Sequence, residues 1–104
     1  MTEATHNSES QWRVTRSDLH PHLQARIEQR GISIEEIERT LNVGWKALDA
    51  KPGNKGRVFV FDYQAEWLGR FFEEKEVTVY YKVVGETIIL LTAKARYGED
   101  FPRR

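Results

Sequence analysis

Cysteine is missing from all 104 residues of the chain. Its absence excludes a disulfide framework, a thiol nucleophile and a thiolate metal site, and it suits a reducing cytoplasm. Net charge is missing too, because 16 lysines and arginines balance 16 aspartates and glutamates. No global field therefore draws the protein toward nucleic acid or membrane, and any such binding must come from a local patch. No apolar run approaches the ~18 residues that span a bilayer, and the N-terminus has no apolar signal core. A cytoplasmic protein without membrane association is expected. Walker and dinucleotide glycine patterns are absent, so no cofactor is expected.

What is present suffices for one domain, which at this length buries roughly 65% of the surface of the unfolded chain. Residues 1–15 begin with a polar stretch lacking periodicity, and they are expected to form a disordered leader. Residues 16–98 make the domain. Residues 99–104 are a polar tail in which Phe101 is a candidate clip.

Two helices open the domain. Ser17 reads as the N-cap of the first, with Pro21 in its first turn and Leu19, Leu23 and Ile27 as a buried stripe at every fourth residue. Gly31 ends it as a left-handed residue. The second helix has the clearest local signal. Ser33 and Glu36 form a capping box worth about 1 kcal/mol, with Ile32 and Ile37 as the staple around it. Ile34, Ile37 and Leu41 face inward, and the segment 42–44 closes the helix.

From Trp45 the period changes to two. Trp45, Ala47 and Asp49 suggest an edge strand, 51–56 is turn chemistry, and 57–63 is a strong second strand. Segment 64–75 fits neither period, yet Trp67, Leu68, Phe71 and Phe72 must be covered, either by this sheet or by a partner. Strands at 77–84 and 87–92 are joined by the two-residue turn Gly85-Glu86. They are apolar on both faces and so central in the sheet. The predicted architecture is α+β: two N-terminal helices packed on a four-stranded, mostly antiparallel sheet.

The histidine at 20, the run from Arg26 through Arg30-Gly31-Ile32-Ser33, and the later strands Val77–Tyr81 and Ile89–Thr92 resemble domain-of-unknown-function family 4258 over about residues 18–98. That family is similar in architecture to RelE, ParE and BrnT toxins. The resemblance implies a RelE-like fold, a protein neutralised by an antitoxin, and mRNA or the ribosome as a target. It also implies metal-independent ribonuclease or translation-inhibitor activity, carried by basic side chains and a tyrosine on the sheet and its C-terminal end.

Metal-free RNA cleavage needs a base, cations for the charge developing on phosphate, and an acid for the leaving oxygen. Lys82, Lys94, Arg96 and Tyr97 are residue types of that kind, and His20 with His22 are candidate proton carriers. A His-Pro-His spacing does not converge on a metal from a helix, so no metal site is assigned. From Val77 onward there are five basic and three acidic residues, a modest surplus that permits an RNA site. The alternative is a non-catalytic protein-binding module of the same fold, with Trp67, Leu68, Phe71 and Phe72 as the partner-binding residues.

Overall fold

Proline places the start of the first helix. A residue preceding proline is driven out of the helical region, whereas proline itself suits the first helical position. In the computed structural model, which describes the backbone of residues 3–6 and all of residues 11–104, His20 is accordingly extended (φ −58°, ψ 141°) and α1 runs from Pro21–Gln29. The imidazole Nδ1 of His20 accepts the backbone N–H of His22 at 3.1 Å. Ser17, expected as the N-cap, instead lies inside a separate 3-10 turn, Arg16–Asp18, and the helix begins four residues later. Leu19 still reaches the core, from the linker between turn and helix.

The exit from α1 is a Schellman turn. Ile32 donates its N–H to the Ile27 carbonyl and Gly31 to that of Glu28, with Gly31 at φ 69°. Helix α2, Ile34–Val43, follows at once with the expected capping box. Ser33 Oγ accepts from the Glu36 N–H (3.1 Å), and a Glu36 carboxylate oxygen accepts from the Ser33 N–H (2.9 Å). Gly44 ends α2 in ordinary extended backbone (φ −72°), so conformational freedom is not why glycine is there. A Cβ at that position would lie 2.4 Å from the Thr40 carbonyl oxygen and 2.5 Å from that of Val58.

Four strands follow as an antiparallel meander: β3 (Trp45–Lys46), β4 (Lys55–Trp67), β5 (Arg70–Val84) and β6 (Thr87–Gly98). The α+β arrangement of two helices and a four-stranded antiparallel sheet is therefore present. Residues of the expected leader extend it. Strand β1, Glu3–His6, pairs with Thr87–Ile89, and β2, Trp12–Arg13, pairs with β1, giving six strands in the order β2-β1-β6-β5-β4-β3. The rest of that leader call, residues 1–2 and 7–10, lies outside the described residues.

Segment 64–75 is a continuation of the β4–β5 hairpin, and its lost periodicity has a cause. A bulge between Asp62 and Ala65, with Gln64 at φ 48°, shifts the alternation by one residue. The hairpin then closes through Leu68 and Gly69, both at positive φ (52° and 84°), as a type I′ turn requires. Leucine is unusual in that place, which hid the turn. Gly85 opens the second hairpin turn at φ 61° as expected.

Both helices lie on one face of the sheet. Val14, Leu19, Leu23, Ile27, Ile32, Ile37 and Leu41 pack onto Val77, Val79, Tyr81, Ile88, Leu90 and Ala93. The C-terminal segment clips back onto the sheet. The Phe101 N–H donates to Glu74 (2.9 Å), its ring lies under the Arg96 guanidinium (4.9 Å), and Arg103 bridges Asp62 and Glu74. Among the described residues no helix is long and apolar enough to cross a membrane.

Candidate functional site

Side chains alternate across a strand, and directly opposed residues of neighbouring strands share a face. In the β5–β6 register Ala93, Ala95 and Tyr97 oppose Val79, Val77 and Lys75, on the helix face, whereas Lys94 and Arg96 oppose Thr78 and Glu76. The two cations therefore stand together on the open face, and Tyr97 is turned away from them.

On the helix face a buried ammonium organises the surroundings. Lys75 is 2% exposed and donates to a Glu36 carboxylate oxygen at 2.8 Å and to the Gly31 carbonyl oxygen. Its Nζ lies 5.3 Å from the ring centroids of both Tyr63 and Tyr97, a cation–π arrangement in a largely dehydrated setting. Trp67 stacks on Tyr97 (5.2 Å, 12° between planes), and Phe72 packs against the same ring (5.6 Å). The Tyr97 hydroxyl donates to the Arg30 carbonyl at 2.6 Å. Burial first, then the neighbouring Tyr63 and Glu36, push the Tyr97 phenol far above its ordinary value. The shift keeps the phenol in its neutral, hydrogen-bonded form, on the face away from Lys94 and Arg96.

This cluster explains the Arg30-Gly31-Ile32-Ser33 junction. Arg30 donates to the Ala93 carbonyl at 2.5 Å. Gly31 sits against Trp67 and Tyr97, where a Cβ would come within 2.6 Å of the indole. Ile32 completes the Schellman turn, and Ser33 caps α2. Arg30, Gly31 and Ile32 thus fasten the helices to the sheet, and Ser33 starts the next helix.

On the open face Asp49, from the loop after β3, accepts hydrogen bonds from the Tyr80 hydroxyl (2.8 and 2.9 Å) and from Lys94 (3.0 Å). The Lys94 hydrogen bond, followed by that of Tyr80, holds the Asp49 carboxyl below its usual range. Burial raises the Tyr80 phenol, and its bonds to Tyr80 and Asp49 raise Lys94. Arg96 donates to Glu76 at 2.8 Å, and that bond raises it further. A groove of about 520 Å³ runs past Trp45, Lys46, Lys94, Arg96 and Arg104. General acid–base catalysis works best with groups that titrate near the operating pH. All three members of the Asp49–Tyr80–Lys94 cluster shift away from neutrality, and their hydrogen bonds latch the loop to β5 and β6.

The other expected site residues are dispersed. His20 and His22 lie at the start of α1, beside a separate hollow with Leu23, Arg26 and Ile89–Thr92. Lys82 is exposed near the far end of β5, opposite Ile89. Among the described residues no group of three or more histidines or carboxylates could hold a metal ion. The four expected partner-binding residues divide into two pairs. Trp67 and Phe72 are half-buried in the Tyr97 cluster, while Leu68 (82% exposed) and Phe71 (59%) project from the hairpin tip.

Sequence reasoning missed Lys75, Asp49 and Tyr80 as interacting groups. Lys75 did leave a signal: it falls in the same period-two register as the core residues Val77, Val79 and Tyr81. No protein-family model, no curated protein and no solved structure matches the chain.

Proposed function

We propose that this protein is a toxin-like module of the RelE/BrnT type that acts by binding a protein partner of the antitoxin class through the tip of its β4–β5 hairpin. The observation that carries this reading is the contrast between two sets of residues. Of the three would-be catalytic cations, Lys94 and Arg96 are already paired, with Asp49 and Glu76, and Lys82 stands apart near the far end of β5, while Tyr97 lies on the other face. Leu68 and Phe71, by contrast, are left exposed on a turn whose leucine adopts a left-handed backbone. The turn needs that backbone at Leu68 but not an apolar side chain there, and exposed apolar groups on strained backbone concentrate at binding sites.

Covering the exposed parts of Leu68 and Phe71 would contribute about 3 kcal/mol, roughly a hundredfold in Kd. The test is complex formation with the product of an adjacent small reading frame, measured for the wild type and for Leu68→Ser/Phe71→Ser. A hundredfold weakening supports the reading; unchanged affinity refutes it.

A second reading, metal-independent ribonuclease or translation inhibitor, draws on Lys94 and Arg96 sharing the open-face groove. Controlled expression in a bacterium separates the two. Growth arrest by the wild type that Arg96→Ala abolishes would establish the second reading and overturn the first.

A further inference from the structure

A pocket of about 590 Å³ lies at the β3–β4 edge, and its lining includes Lys46, Lys51, Lys55 and Arg57 but no carboxylate. Among the described residues, none of these four cations forms an ion pair. The Arg57 guanidinium donates from Nη1 to the Gly44 carbonyl at 2.9 Å, a neutral acceptor that holds the head group while leaving its charge unbalanced. Lys46 and Arg57 are directly opposed across the β3–β4 ladder. Opposed like charges destabilise a strand pair, and in a chain with as many acidic as basic residues a carboxylate could have relieved them.

We infer that this pocket binds a small anion carrying several adjacent phosphates, of the nucleoside triphosphate or inorganic polyphosphate class. Four unpaired cations around one concavity match the charge of such a ligand, and the volume lies in the range of small-molecule sites. Lysine and arginine supply charge-assisted hydrogen bonds to phosphate oxygens. The size of the cationic patch favours a small ligand over a polymer. The neighbouring groove shares Lys46 with the pocket, but its Lys94 and Arg96 are neutralised by Asp49 and Glu76. Apart from Arg104 in that groove, the uncompensated charge is gathered at the pocket and does not continue as a track. The inference is independent of the hairpin tip.

The test is titration calorimetry of the full chain at about 0.1 M salt, the ionic strength at which long-range surface fields are largely screened. The probes are ATP, tripolyphosphate and a single-stranded oligouridylate. ATP and tripolyphosphate are expected to bind, and Lys51→Gln/Lys55→Gln to weaken both roughly tenfold, the loss expected of two exposed charge-assisted contacts. Lys46→Gln should act in the same direction. Arg13→Gln, on β2 at the opposite edge of the sheet, should leave binding unchanged. Unaltered circular dichroism spectra and melting temperatures would show that the variants are folded. No heat from either polyphosphate, or equal weakening by Arg13→Gln, overturns the inference. So does an oligouridylate that binds more tightly than tripolyphosphate and is lost in the double variant, because the ligand would then be a phosphodiester chain.

Discussion

Replacing Lys75 by methionine isolates the contribution of the buried ammonium, because methionine keeps most of the stem volume and adds little cavity. The substitution removes both of its hydrogen bonds and leaves Glu36, whose side chain is only 18% exposed, without its cation. Removing one partner of a buried pair costs about 3–5 kcal/mol, chiefly because the other charge stays behind. Glu36 keeps its bond to the Ser33 N–H, which places the expected loss near the lower end, about 3 kcal/mol. For a domain of this size that lowers the melting temperature by roughly 12 °C or more. Urea denaturation with an unchanged m-value would measure it. Glu36→Gln/Lys75→Met should recover much of the loss, since no unpaired charge then remains. A single variant within about 1 kcal/mol of the wild type, or a double variant showing the full sum of the two losses, would refute the electrostatic account.

The same geometry makes further predictions. Gly44→Ala should destabilise by about 2 kcal/mol or more through collision with two backbone carbonyls. Gly53→Ala meets open space and pays only for its left-handed backbone (φ 84°), about 1 kcal/mol, so equal losses would contradict the steric argument. Tyr97→Phe removes the bond to the Arg30 carbonyl and should cost about 1 kcal/mol of stability; a selective loss of activity without that cost would return Tyr97 to the list of chemical groups. The Asp49 carboxyl is held below its ordinary value, mainly by Lys94. A depressed carboxylate stabilises above its unfolded pKa, and that contribution is lost as the pH falls through the lower folded value. The protection of amides in residues 47–54, measured as exchange relative to the intrinsic rate at each pH, should therefore fall on acidification, and Asp49→Asn should abolish that dependence of protection on pH. Persistence of the dependence in Asp49→Asn would dismiss the latch.

Sequence by itself determined the features that are local. The capping box at Ser33 and Glu36, the Schellman exit at Gly31 and the Gly85 turn depend on groups within a few residues of one another. The apolar stripes Leu23/Ile27 and Ile37/Leu41 follow from helical period alone. The separation of Arg96 from Tyr97 was also present in the sequence, because adjacent strand residues point to opposite faces.

Tertiary structure decided the rest, for reasons that span long separations. The bulge at Gln64 and the leucine in the tight turn disguised a continuous hairpin as an aperiodic segment. Lys75 is buried only because Glu36 and Gly31, 39 and 44 residues away in the chain, meet it across the interface between helices and sheet. The charges of Lys94 and Arg96 are neutralised by Asp49 and Glu76, while those of Lys46, Lys51, Lys55 and Arg57 are not. A balanced composition leaves that distribution open, because only the paired strands determine which cations meet a carboxylate and which meet one another.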